Sequence, residues 1–78
     1  MTRPFTIEWT EDALDGWRPL PLDDARTVAE AVEAFANGRG GTAIFADGQY
    51  MLLVGVHVIL FWIDYEGDTL YVTWVRHA

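Results

Sequence analysis

The 78-residue sequence contains no cysteine, no serine and no lysine, and its only histidines are His57 and His77. These absences exclude serine and cysteine nucleophiles, Schiff-base chemistry on lysine, a P-loop lysine and thiolate metal sites, because each needs a residue that the chain lacks. A disulfide cross-link is excluded for the same reason. Two histidines are too few for a convincing metal site, so we expect neither a metal nor a cofactor.

Positive charge is also scarce. Five arginines stand against twelve acidic residues, which gives a net charge of −7 and an isoelectric point near 4.4. That balance has the wrong sign for a protein that binds a phosphate backbone, so we do not expect nucleic acid among its partners. The acids are concentrated in residues 1–38, where eight of them lie with three arginines. An acidic surface of this kind can attract a basic protein partner.

Long hydrophobic runs and a recognisable secretory signal are missing too. The start, Met1 to Pro4, leads into alternating residues and not into an apolar segment. The most apolar run, Met51 to Ile63, spans 13 residues, whereas a membrane-crossing helix needs about 20. We therefore expect a cytoplasmic protein without membrane contact.

Apolar and aromatic residues are abundant, at 51% and 14% of the chain. This content is enough to bury a core, and the length suits one domain over residues 1–78. The expected organisation is one small globular unit with one site at most.

The first half of the chain predicts a strand and two helices. Residues 5–9 alternate between apolar and polar types, as a half-buried strand does. Thr10 is a suitable N-cap for a short helix that Gly16 would weaken or end. From Leu22 to Asn37 the apolar residues recur at steps of three and four, which predicts the main amphipathic helix. Its acids are expected to form a solvated face.

The second half reads as sheet. Residues 42–45 fit a short strand or an extended lead-in before the turn pair Asp47-Gly48. Three β-branched and aromatic runs follow at 49–54, 56–64 and 69–76, and a loop over 64–68 joins the last two. We predict an α+β fold: a strand, two helices and an antiparallel meander, with the helices on one face of a four-stranded, possibly five-stranded, antiparallel sheet.

The pair Gly55-Val56 fixes which way each side chain points. It suits a two-residue type II′ turn, which places Val54 opposite His57 and alternates every later side chain between two faces. The last strand is expected to add Leu70, Val72 and Trp74 to the first face and Tyr71, Thr73 and Val75 to the second. Before that strand, the first face carries Tyr50, Leu52, Val54, His57, Ile59, Phe61 and Ile63, and the second carries Met51, Leu53, Val58, Leu60 and Trp62.

Both predicted faces are apolar, yet two short helices can cover only one of them. Exposed apolar surface of this extent is typical of an interface, so the second face implies a homodimer or a protein partner. The alternative is that loops and the N-terminal segment fold over it. The candidate partner-binding residues are Met51, Leu53, Val58, Leu60, Trp62 and Tyr71.

The segment from Gln49 to Asp64, together with Gly67 to Val72 and Val75 to His77, resembles the RelE/ParE superfamily of bacterial toxins from toxin–antitoxin modules. The family pattern there is a Tyr-Arg-x-Arg-Val-Gly-Asp-Tyr-Arg-Val hairpin, an acidic turn and a last strand that ends near a His or Arg. Thr6 to Ala13 also resembles the family's opening strand and helix. The resemblance covers nearly the whole chain and implies a cognate antitoxin-like partner.

The departures from the family pattern concern its basic residues. Where the family has arginines, this chain has Met51, Leu53 and Val58, all on the second face. In the ribonucleases of that superfamily, this surface binds messenger RNA in the ribosome. Without cations there is little to bind phosphate or to stabilise charge on a phosphoryl group.

Arg76 and His77 lie where the family often keeps a terminal catalytic or phosphate-binding residue. The resemblance thus gives them possible roles as an anion clamp and an acid/base catalyst. The alternative is a frayed polar C-terminus. His57, beside the predicted hairpin turn, is expected to be a half-buried structural residue, and the tyrosines to be packing residues or interface anchors.

Two hypotheses follow. The first is a RelE/ParE toxin-like protein that acts mainly by binding protein, with ribosome-dependent cleavage of messenger RNA weak or absent. The second is a non-enzymatic acidic interaction module, a homodimer through the second face whose acidic helices meet a basic partner.

Overall fold

The computed structural model describes residues 4–77 and has two helices and five strands in that range. The strands lie side by side in the order β1-β5-β4-β3-β2. The predicted α+β architecture is therefore confirmed, with five strands. In chain order the elements are β1 (Thr6–Trp9), α1 (Glu11–Trp17), α2 (Leu22–Ala36), β2 (Ala43–Ala46), β3 (Gln49–Val54), β4 (His57–Asp64) and β5 (Thr69–His77).

One strand pair differs from the antiparallel sheet that the sequence suggested. β1 runs parallel to β5, from Thr6 opposite Thr69 to Trp9 opposite Val72. The other three neighbouring pairs are antiparallel. A four-residue strand carries no local signal of the direction of its partner, which here is the strand most distant in the chain.

Helix α1 is capped as predicted, because the Thr10 side chain accepts a hydrogen bond from the Ala13 N–H at 3.2 Å. The helix does not end at Gly16 but continues to Trp17. A Cβ on Gly16 would clash with the carbonyl oxygen of Val75. Glycine at this position therefore allows close approach of α1 to β5, a role that helix propensity alone does not reveal.

Helix α2 ends at Ala36, with Asn37 as its C-cap, one residue earlier than the periodicity indicates. Its apolar stripe is buried against the sheet and consists of Ala25, Val28, Val32 and Ala36. The indole N–H of Trp17 donates to the carbonyl of Ala25 at 2.9 Å, which ties α1 to α2. The helices thus cover one face of the sheet as a connected pair.

Two turns confirm the predicted hairpins. Gly55 has φ of 59°, while Val56 is not in the positive-φ region, as a type II′ turn requires. Asp47 and Gly48 have φ of 54° and 80° and join β2 to β3. The resulting register places Val54 opposite His57 and Met51 opposite Leu60, as predicted.

The core lies between the helices and the first face. Phe61, Ile59 and Leu70 are among its largest fully buried side chains. The core cluster consists of Ala13, Val28, Val32, Ala36, Leu52, Ile59, Phe61, Leu70, Val72 and Val75.

The prediction was wrong for two residues of β5. Leu60 pairs with Trp74 and Phe61 with Val72, so Thr73 is an extra residue on β5, a β-bulge. One extra residue reverses the alternation beyond it. Val75 therefore lies on the first face, fully buried, and Trp74 on the second, the reverse of the expected placement.

Candidate functional site

The second face brings together the six residues that the sequence selected for partner binding. Met51 lies opposite Leu60 and Leu53 opposite Val58 across the β3–β4 hairpin. On the other side of β4, Trp62 lies opposite Tyr71, and the two rings stack with centroids 4.4 Å apart. Strand alternation thus assembles one continuous apolar surface over three strands.

Much of this surface is open to solvent. Leu53 is 57% exposed and Trp62 40% exposed, and Ile44, opposite Met51 on β2, is 54% exposed. Within residues 4–77 no helix or loop covers the second face, so the alternative cover by loops is not found there. Residues 1–3 of the N-terminal segment lie outside the described range.

A concavity of about 570 Å³ lies in the second face at the bulge, and its lining includes Trp62 and Trp74. Leu60 and Thr73 also line it. The Thr73 hydroxyl lies 2.8 Å from Oε1 of Gln49 and 3.2 Å from the carbonyl oxygen of Leu60. The concavity therefore combines aromatic walls with a polar group already held by its neighbours, a combination suited to an inserted side chain.

Arg76 and His77 are adjacent in the chain but lie on opposite faces of the sheet. Arg76 pairs with Val58 on the second face, and His77 pairs with His57 on the first. The Arg76 guanidinium carbon lies 5.1 Å from the ring centroid of Trp74, within cation–π distance. The two predicted catalytic residues are therefore not brought to a common site.

His57 is more deeply buried than the expected half-buried state, with 7% of its surface exposed, and it lies beside Asp24 of α2. Its Nε2 lies 3.7 Å from Oδ2 of Asp24, too far for a hydrogen bond, and its ring meets that of His77 edge-on at 5.9 Å. Among the described residues neither ring nitrogen has a hydrogen-bond partner. No group of three metal-ligating side chains occurs within residues 4–77.

Charge is divided between the two sides of the molecule. On the second face of the strands, Arg76 is the sole cationic residue in the described part of the chain. The helices carry most of the acids, and Arg18 meets two of them at the limit of ion-pair distance, Glu11 and Asp15, each at 4.0 Å. The acids of α1 and α2 are Glu11, Asp12, Asp15, Asp23, Asp24, Glu30 and Glu33.

Sequence reasoning missed Trp74 and Ile44 as members of the second face. Counting back from the Asp47-Gly48 turn with strand alternation places Ile44 opposite Met51 on the second face, so the sequence does contain this signal. The position of Trp74 cannot be predicted in this way, because the Val-Thr-Trp-Val sequence around it shows no sign of the bulge.

Neither α1 nor α2, the helices of the described range, has the length and apolar composition needed to cross a membrane.

Comparison with known proteins gives different results for the sequence and for the fold. No protein-family model matches the sequence, and no curated protein matches it. The fold is similar to a chain of the RelBE toxin–antitoxin complex from Mycobacterium tuberculosis, with a TM-score of 0.81 and 24% identity over 96% of this chain and 92% of that chain. The archaeal RelE–RelB complex from Pyrococcus horikoshii gives a TM-score of 0.77 at 10% identity over 96% of each chain.

The isolated E. coli RelE toxin gives a TM-score of 0.72 at 18% identity over 95% of this chain and 84% of that chain. These likenesses establish a RelE-like fold over nearly the whole chain, which confirms the resemblance noted from the sequence. At such identities they carry information on the fold alone.

Proposed function

We propose that this chain is a toxin-like protein of a toxin–antitoxin system that acts mainly by binding a protein partner through its second face, with ribonuclease activity weak or absent. The observation that carries the proposal is the apolar character of that face at Met51, Leu53 and Val58, where the family pattern has arginines. A phosphate backbone needs cations for binding and for catalysis. An apolar surface with two tryptophans instead favours another protein.

The partner that fits best is an antitoxin-like protein. The structurally similar chains from Mycobacterium tuberculosis and Pyrococcus horikoshii both come from toxin–antitoxin complexes, RelBE and RelE–RelB. A partner with an apolar strip would cover the second face, and basic residues on the same partner would meet the acidic helices. We place this association in the cytoplasm. Arg76 and His77 are retained as catalytic candidates only for the case that cleavage is found.

Induced expression in a bacterial host, alone and with the neighbouring gene, tests the toxin-like role. We expect growth arrest that the neighbouring gene relieves, and a complex of the two proteins that survives gel filtration. Normal growth without any complex would contradict the proposal.

A ribosome-dependent cleavage assay on messenger RNA separates binding from catalysis. We expect no cleavage above background, because the second face has too few cations. A triple variant with arginine at Met51, Leu53 and Val58 is the matched comparison, because it places positive charge where the family pattern has arginines. Cleavage by the unaltered chain would contradict the proposal that its ribonuclease activity is weak or absent.

A homodimer through the second face is the second candidate function. The open apolar surface favours it, because exposed patches of this kind commonly self-associate. Light scattering decides between the two: a dimer that Leu53→Asp dissociates supports the homodimer, whereas a strict monomer supports a separate partner.

A further inference from the structure

A second concavity lies away from the second face, beside the C-terminal end of α2. It has a volume of about 380 Å³, within the range of small-molecule sites. We refer to it as the tyrosine pocket. Its lining includes Phe5, Phe35, Gly40, Gly41, Tyr50 and Tyr65.

The walls of the tyrosine pocket are aromatic and held in place by ring contacts. Tyr50 stacks on Phe61 at 5.3 Å with an interplanar angle of 13° and meets Phe35 at 6.3 Å. Phe5 meets Tyr65 edge-on at 5.9 Å. Ring contacts of this kind restrict the side chains and so reduce the entropy that they lose when a ligand binds.

Two phenol groups provide the hydrogen-bonding capacity of the pocket. The hydroxyls of Tyr50 and Tyr65 lie 2.7 Å apart and share one hydrogen bond. Each phenol has one O–H donor and acceptor lone pairs, so the bond within the pair uses one donor and leaves the other O–H free to donate outward. The pair therefore offers a donor and an acceptor side by side.

The glycine loop allows a ligand to approach the backbone closely. Gly40 and Gly41 have φ of 155° and 91°, conformations that side-chain-bearing residues rarely adopt. A Cβ on Gly41 would lie 3.3 Å from the Leu52 side chain, so the loop packs against the sheet at this point. No side chain at Gly40 or Gly41 closes the pocket.

The pocket is neutral. Among the residues that the structure describes, none with a charged side chain lines it, and Arg39 of the same loop is not part of the lining. The hydrogen bond with Tyr50 raises the pKa of Tyr65 above its ordinary value of 10.0, as does partial burial. The Tyr65 phenol therefore remains protonated at neutral pH.

We propose that the tyrosine pocket binds a neutral planar heterocycle through a lactam edge. The lactam N–H donates to one tyrosine oxygen, and the adjacent carbonyl accepts the outward O–H of the other. A charged ligand finds no counter-charge in the lining, and an aliphatic ligand makes no hydrogen bond with the hydroxyl pair. This site is separate from the second face and does not depend on the proposed function.

The test is an amide NMR titration of the intact chain with quinolin-2(1H)-one as the probe. We expect saturable shifts at Gly40, Gly41 and Tyr65. The matched probe, 1-methylquinolin-2-one, keeps the ring and the carbonyl but lacks the N–H, and it should bind about 3–10-fold more weakly, the value of one neutral hydrogen bond. Equal binding of the two probes, shifts confined to Trp62 and Trp74, or no saturable shifts at all would each overturn the proposal.

Two variants locate the contact. Tyr65→Phe keeps the aromatic wall and removes one hydroxyl, so it should weaken the lactam probe about 3–10-fold while changing the methylated probe less. Tyr71→Phe, on the second face, should change neither, and circular dichroism should show both variants folded. Unchanged lactam affinity in Tyr65→Phe would show that the hydroxyl pair does not hold the probe.

Discussion

Both faces of the sheet are apolar, but their surroundings are opposite: the helices cover the first face and leave the second open. On the first face Phe61 is 1% exposed and Ile59 is fully buried beneath the helices, whereas on the second face Leu53 is 57% exposed. Alternation along a strand therefore identifies two apolar surfaces but not which of them the chain itself covers. The helices cover only one face, and the other is available to a partner.

The sharpest test of this comparison introduces one aspartate on each face, in two separate variants. Phe61→Asp should unfold the chain, because an unpaired carboxylate in the core costs several kcal/mol. That cost is a large share of the total free energy of unfolding of a small protein, which is about 5–15 kcal/mol. Leu53→Asp should leave the fold intact and weaken association, because its side chain is already exposed. Circular dichroism and light scattering at low concentration measure the two effects.

Leu52→Asp, at a buried position, should likewise unfold the chain. Leu60→Asp, on the second face, should leave the chain folded and weaken association. If variants on both faces unfolded the chain equally when dilute, the assignment of the faces would be wrong.

The next largest change in stability is expected for variants that test the bulge at Thr73. Val75→Asp should unfold the chain or nearly so, since Val75 is fully buried, whereas Trp74→Asp should remain folded. Uninterrupted alternation would predict the reverse. Urea denaturation of the two variants decides, and equal stability would argue against the register shift at Thr73.

Gly16→Ala should have a smaller but clear effect. The added methyl group would clash with the Val75 carbonyl, so α1 must move away from β5, at a cost of about 1–3 kcal/mol. Asp15→Ala, one residue earlier in the same helix, is the control and should change the free energy of unfolding by less than about 0.5 kcal/mol. A Gly16→Ala protein as stable as its parent would mean that the helix does not lie this close to the strand.

Replacing His57 should change stability modestly, in the favourable direction. Its buried ring nitrogens have no hydrogen-bond partner within residues 4–77, and such a polar group costs about 1–3 kcal/mol. We expect His57→Leu to keep or increase the free energy of unfolding by about 1 kcal/mol, measured in urea. A marked loss would show that the approach to Asp24 stabilises the fold.

The smallest expected effect concerns the tyrosine pocket at high pH. Because the pKa of Tyr65 is raised in the folded state, the stabilisation by the pair is fully present below the ordinary value of 10.0 and is lost as pH rises through the raised value. The urea midpoint of the parent should therefore fall more between about pH 9 and pH 11 than that of Tyr50→Phe. Parallel curves would contradict the coupling of the two hydroxyls.

Much of the fold follows from local signals in the sequence. The Gly55-Val56 pair gives the hairpin register, and the spacing of Val28 and Val32 gives the buried stripe of α2. These features depend on residues close together in the chain, where turn geometry and helical periodicity are decisive.

The features that the sequence did not predict depend on contacts between distant elements. The parallel pairing of β1 with β5 joins residues more than sixty positions apart. The bulge at Thr73 interrupts an alternating stretch without glycine or proline to mark it. The same holds for the candidate site: strand alternation predicts that six of its residues lie on the second face, whereas the position of Trp74 depends on the bulge.

The place of β5 in the sheet determines when the molecule can be completed. β5 is the last of the described strands to be synthesised, yet it lies between β1 and β4. β1 has no strand to pair with until β5 emerges, which gives the fold a high contact order and delays its formation. The second face also needs β5 for Tyr71 and Trp74. A partner of the proposed kind would therefore meet the complete second face only after β5 has been synthesised.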